Sequence, residues 1–175
     1  MPSHKLIKRE HSRNKKDGRD NEVDNKMKLS FLGTRGYIDS RSRNHSMHSS
    51  CRVSYKNKSV TIDCGEDWLD RLDEMDPRVL ILTHAHPDHA GGLAKGAPCP
   101  VYATPQTWES LENYDIRPQK TIKPGHKLKL QGMNFQAFPM EHSIKAPAVG
   151  YKITAGGVSV FYAPDVVYIK DRQKA

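Results

Sequence analysis

The stretch Leu82 to Gly92, LTHAHPDHAGG, sets three histidines and an aspartate within six residues, directly behind the apolar run Val79-Leu80-Ile81-Leu82. Arg78–Thr83 has strand length and reads as a strand covered on both faces. His84 and His86 stand two apart, so they do not share a helical face as an i,i+4 pair does. On a loop or a strand end that spacing aims both imidazoles at one ion, and Asp88 and His89 on the next stretch of backbone address a second. Imidazole nitrogens and carboxylate oxygens suit zinc, which they bind at about 2.0–2.2 Å. A single histidine here would read as part of a polar loop. His-x-His-x-Asp-His behind a buried strand reads as a metal site.

Upstream of this motif, Lys28–Leu32 alternates and stops at Gly33. Arg52–Tyr55 and Ser59–Asp63 predict a hairpin around Lys56-Asn57-Lys58. Glu66–Met75 predicts an amphipathic helix with Trp68, Leu69, Leu72 and Met75 on one side, closed by Asp76-Pro77. Downstream, Ala90–Leu93 suggests a short helix and Val101–Ala103 a strand, and Thr104-Pro105 opens a helix to about Asn113. Strands are expected at Lys127–Gln131, Asn134–Phe138, Val149–Thr154 and Val158–Ala163, with a Gly156-Gly157 turn. The pattern predicts an α/β layered domain with mixed sheets.

The 175 residues suit one domain with a sizeable core. A net charge of +8 and a pI near 9.4 favour an anionic partner, nucleic acid or a phosphorylated small molecule. Cys51, Cys64 and Cys99 stand at unrelated spacings, with no C-x-x-C and no disulfide framework, which fits a reducing compartment. No apolar run approaches membrane-spanning length, and the opening MPSHKLIKREHSRNKK has no signal-peptide apolar region. The expectation is a cytoplasmic protein without membrane attachment. Residues 1–26 carry eight Lys/Arg and five Asp/Glu but only Leu6, Ile7 and Val23 as large aliphatics. Such a segment is expected to be a disordered basic extension, leaving 27–175 as the domain.

FLGTRG, TIDCG, THAHPDHAGGL, FPMEHSIKAPAVGY and VFYAPD resemble, in order, the motifs of the metallo-β-lactamase-fold hydrolases, from about Met27 to the last residue. The stretch His142 to Tyr151 is most similar to ribonuclease Z-like and cyclic-phosphodiesterase-like members. His86, where flavodiiron relatives carry glutamate, sides with the hydrolytic branch. The resemblance implies an αββα sandwich with mixed β-sheets. It further implies that His84, His86 and His142 bind a first zinc, that Asp88 and His89 bind a second, and that Asp165 bridges both. Asp63 would orient the metal loop from outside the ligand set. A zinc-dependent hydrolase using a metal-bound hydroxide is implied, acting on a phosphodiester or other anionic ester, with Asp88 doubling as a proton shuttle. Thioester or lactone hydrolysis is the alternative within the fold, and a non-catalytic metal-binding fragment or subunit module the alternative outside it.

Without family order, His142 reads as a structural histidine and Asp165 as a turn aspartate after Pro164; His126 stays a turn residue. Arg35, Arg41, Arg43, His45 and His48 occupy an early loop that borders the site in this fold. The expectation is that this loop meets an anionic substrate, a solvated loop being the alternative. Family members complete the second zinc site with a further histidine beyond the bridging aspartate, whereas VVYIKDRQKA after Asp165 contains none. The resemblance therefore implies a domain lacking its C-terminal part. The alternatives are a split protein completed by a partner chain or second copy, and a single-zinc variant in which His45 or His48 substitutes. Manganese or iron could replace zinc on such ligands.

Overall fold

The computed structural model describes residues 25–143, 147–169 and 173. The expected extension, up to residue 24, and residues 144–146 of the His142–Tyr151 stretch lie outside the described residues.

β1 (Lys28–Gly33), β2 (Ser50–Tyr55) and β3 (Lys58–Ile62) form an antiparallel meander. Its second turn places Lys56 and Asn57 at positive φ, 50° and 59°, the hand that matches the twist of a two-residue hairpin. β4 (Leu80–Ile81), β5 (Val101–Ala103) and β6 (Gln119–Thr121) then add in parallel, giving one mixed sheet ordered β1-β2-β3-β4-β5-β6. The second sheet is antiparallel, built from β7 (Lys127–Leu130), β8 (Met133–Glu141), β9 (Ala148–Ala155), β10 (Val158–Tyr162) and β11 (Tyr168–Ile169). Its order is β10-β9-β8-β11, with β7 also paired to β8.

Period-two alternation divides the first sheet between two cores. Val60, Ile62 and Ile81 face the second sheet and pack with Phe135, Ala137, Tyr151 and Ile153. Leu80, Leu82, Val101 and Ala103 face the other way and pack with Trp68, Met75, Leu93 and Leu111. This helical side holds α1 (Leu72–Met75), α2 (Pro87–Ala90) and α3 (Pro105–Ser110). The described residues thus comprise three layers, helices on a mixed sheet on an antiparallel sheet. None of their helices is long and apolar enough to cross a membrane.

The helix expected over Glu66–Met75 is broken into a 3-10 turn, Glu66–Trp68, and α1. Tertiary bonds win over helical periodicity there. Trp68 Nε1 donates to His48 O, and the Asp67 carboxylate accepts from Arg35, Arg41 and the His48 N–H. The strand expected at Arg78–Thr83 pairs formally only at Leu80–Ile81, although Leu82 N still donates to Tyr102 O. α3 is capped by Thr104, whose side chain accepts from Thr107 N, and it ends at Ser110 rather than Asn113. β6 and β11 were not anticipated. Gln119-Lys120-Thr121 is wholly exposed and carries no apolar alternation.

Candidate metal centre

β4 runs out at Leu82-Thr83 and delivers His84 and His86 beyond the sheet edge. Pro87 then starts α2 at its first position, where a missing N–H costs nothing. That single turn carries Asp88 and His89 back toward His84, whose ring centroid lies 4.2 Å from that of His89. The second sheet contributes from two places: His142 directly follows β8, and Asp165 follows β10 by three residues. The cluster therefore lies where both sheets end.

His86 Nδ1 is 3.1 Å from His84 Nε2 and 3.1 Å from His142 Nε2. Asp165 Oδ2 closes this group at 3.7 Å from His84 Nε2 and 3.5 Å from His142 Nε2. The same oxygen lies 3.2 Å from His89 Nε2, which is 3.4 Å from Asp88 Oδ2. Two donor sets result, His84/His86/His142/Asp165 and Asp88/His89/Asp165, each with all its donor atoms within 4.8 Å of one another. Ligands about 2.0–2.2 Å from a tetrahedral ion stand roughly 3.3–3.6 Å apart, so the spacing fits an ion in the first set. His89 Nε2 supplies a second test of fit: it is buried and has no hydrogen-bond partner of good geometry, a deficit that an ion in the second set would fill.

One buried carboxylate organises these rings. Asp63 is fully buried, at φ 63°, and accepts from Thr83 N at 2.7 Å and from Thr83 Oγ1 at 2.8 Å. Thr83 spends its only hydroxyl proton on Asp63, so its oxygen accepts from His84 Nδ1 at 3.1 Å, which leaves His84 Nε2 bare toward the cluster. Asp63 also holds His89 Nδ1 at 2.8 Å, which directs His89 Nε2 toward Asp88 and Asp165. Burial first, then neighbouring His89 and His86, push the His84 pKa down to about 2, so it stays neutral. Burial also disfavours charge on His89, but Asp63, Asp165 and Asp88 outweigh it and raise its pKa to about 10. His86 is lowered by burial and by His142. Contact with His89 holds the Asp165 carboxyl down at about 2, keeping it ionised.

The packing around this loop is close. A Cβ on Gly65 would overlap the Asp88 carbonyl oxygen, and one on Gly92 would come within 2.6 Å of Cys64 Sγ. The early loop borders the cluster, since a Cβ on Gly36 would lie 3.9 Å from Asp88 Oδ2. Its residues behave differently from one another. Arg35 is buried and pairs with Asp67 at 2.5 Å, and Arg41, more than half exposed, reaches the same carboxylate at 2.8 Å. His48 is buried, its Nδ1 accepting from Asp67 N at 3.2 Å, while His45 contacts Thr34 Oγ1 at 2.9 Å. Arg43 is exposed. Neither His45 nor His48 belongs to a donor set found among the described residues. His126 sits in its turn, 3.4 Å from Pro124 O. Sequence reasoning passed over Thr83 and Asp67; a hydroxyl next to a metal motif and an acid among arginines were the available signals.

Fold and site together define a class. Residues 58–175 match the family described as the beta-lactamase superfamily domain, and the chain belongs to it. It is similar to the ribonuclease Z of Methanopyrus kandleri, 26% identical over 148 residues that cover 75% of this chain and 51% of that protein. Among solved structures it resembles the metallo-β-lactamase fold protein YhfI from Bacillus subtilis, with a TM-score of 0.62, 18% identity, and 77% of this chain and 61% of the other covered. It also resembles the short form of human tRNase Z, with a TM-score of 0.56, 18% identity, and coverage of 82% and 71%. At these identities the structural likeness is one of fold. The chain spans about half the length of the curated relatives it matches.

Proposed function

We propose that this chain carries the metal centre of a zinc-dependent phosphoester hydrolase whose substrate is a phosphodiester, RNA being the favoured class. One observation carries the reading: Asp165 Oδ2 is common to two donor sets built from four buried or half-buried histidines and Asp88. His84 Nε2, His86 Nδ1 and His142 Nε2 would hold one ion with Asp165, and Asp88 and His89 Nε2 the other. Three imidazoles with one carboxylate favour zinc, and they also accept manganese or iron. When bound, the ions would supply Lewis-acid polarisation of the phosphoryl oxygens and a more acidic attacking water. This chain's own residues do the rest. Asp63 and Thr83 hold the imidazole tautomers, and we assign to Asp88 the proton transfer that accompanies attack.

The net charge of +8 and the ribonuclease Z relatives support an anionic, nucleic-acid substrate. Arg43, exposed on the early loop, is the residue we assign to its phosphates, whereas Arg35 and Arg41 are both engaged by Asp67. Three buried free thiols, Cys51, Cys64 and Cys99, support a reducing, cytoplasmic setting. The test is turnover of bis(p-nitrophenyl) phosphate and of a short RNA with added Zn²⁺ or Mn²⁺. The expected result is hydrolysis abolished by chelator and by His84→Ala. Turnover of thioester or lactone with none of phosphodiester would move the assignment to that branch. Zinc binding without any turnover would make the chain a metal-binding module.

A further inference from the structure

The ligands come from both sheets, and beside them the sheets are joined by two hydrogen bonds. The Tyr151 hydroxyl donates to Leu82 O at 2.6 Å, and Val149 N donates to Thr83 O at 3.0 Å. Leu82 and Thr83 are the last two residues before His84. Tyr151 is fully buried, and its ring is steadied edge-on by Phe135 at 6.4 Å between centroids. Its register in β9 is informative. Tyr151 pairs with Ala137 of β8, the strand that ends beside His142, and with Tyr162 of β10, three residues before Asp165. One side chain thus spans from the two strands that lead to His142 and Asp165 to the strand end that launches His84 and His86.

We propose that Tyr151 is a positioning residue of the metal centre: its hydroxyl sets the separation between the half-site on the first sheet and the half-site on the second. This rests on the metal-binding reading above. The physical reason is that the donor atoms of the first set must hold their spacing to within a few tenths of an ångström, while apolar packing between sheets is non-directional and does not fix it that closely. A short hydrogen bond from a fully buried ring does, because the ring is packed on all sides and the acceptor is a backbone carbonyl two residues from the first ligand. Tyr151→Phe removes the oxygen and keeps the ring.

The experiment is a titration of the metal-free full chain with Co²⁺, following both affinity and the visible d–d absorption that reports ligand geometry. Three variants accompany the wild type. Tyr151→Phe tests the proposal, His84→Ala tests the metal site, and Thr107→Val deletes a different buried hydroxyl, whose bond is to Thr104 at the α3 cap and to no donor-set residue. The expected result is that Tyr151→Phe binds Co²⁺ about tenfold or more weakly with an altered spectrum, the range seen when partners of metal ligands are lost. Thr107→Val should match the wild type in both readouts even where it melts earlier. Tyr151→Phe with wild-type affinity and spectrum, lowering only the melting temperature, overturns the proposal and leaves a structural tyrosine. If the wild type binds no more Co²⁺ than His84→Ala, the metal reading itself fails and the positioning role goes with it.

Discussion

His84 and His89 are adjacent, almost fully buried rings that one carboxylate sets to opposite habits. Asp63 reaches His84 through a threonine hydroxyl, which orients the ring without bringing charge to it; it touches His89 directly and favours its protonation. Asp63→Asn preserves the shape and replaces one acceptor oxygen by a donor. Zn²⁺ affinity should fall about 10–100-fold, and the metal-free chain should lose about 1–3 kcal/mol as buried donors go unmatched. Calorimetric zinc titration and urea unfolding of the same samples read the two effects separately, and unchanged affinity would remove Asp63 from this role. At this scale the sequence was partly legible. His84, His86, Asp88 and His89 announce themselves because ligand-type side chains crowd six residues. His142 meets His86 across 56 residues of chain, a contact no local pattern encodes, so it and Asp165 needed the order of the family's motifs. Thr83 was invisible as a relay because a threonine after a strand has many commoner reasons to be there.

Among the elements, the early loop is held largely by polar bonds, with Met47 packed on the core beneath it. Asp67 fastens it, taking Arg35, Arg41 and the His48 N–H on one carboxylate. Burial would raise the Asp67 pKa, but hydrogen bonds from Arg35 and His48 more than offset that and hold it below its ordinary 3.8. A carboxyl depressed in the folded state stabilises fully above that ordinary value, and the stabilisation is lost as pH falls through the lower folded one. Acidification below about pH 4 should therefore release residues 34–48 before global unfolding. Trp68, whose Nε1 bonds to His48 O, reports this by fluorescence. Asp67→Asn should abolish the separate acid phase; coincident acid transitions in the two proteins would mean the loop is held by something else. Strand-length apolar runs and the hairpin were readable because alternation is a local property. The Glu66–Met75 helix was misread because the same Asp67 and Trp68 bonds override its periodicity, and β6 because an edge strand of polar residues has no periodicity to read.

Across the whole molecule, the centre ties together two sheets that otherwise share only an apolar core and a few bonds. Ligands that bind only the folded chain stabilise it by mass action. Removing metal with a chelator should lower the melting temperature by about 5–10 °C for a chain of this size, if zinc is held at about a hundred times its Kd. Differential scanning calorimetry with and without chelator measures it, and His84→Ala should be insensitive to both. The layered α/β class was legible from the pattern of strands and helices alone. The strand order was not, because pairing of β4 with β3 and β5 depends on crossovers that no local signal records. The separation of His86 from His142 along the chain has a kinetic meaning as well. Contacts so distant in sequence form late, after local hairpins and turns. Until the sheets dock, both donor sets are incomplete: the first lacks His142 and Asp165, and the second lacks Asp165. On the proposed reading, metal uptake would complete both donor sets only once the sheets have docked, so it would act as a latch on a nearly finished fold rather than a guide to the early chain.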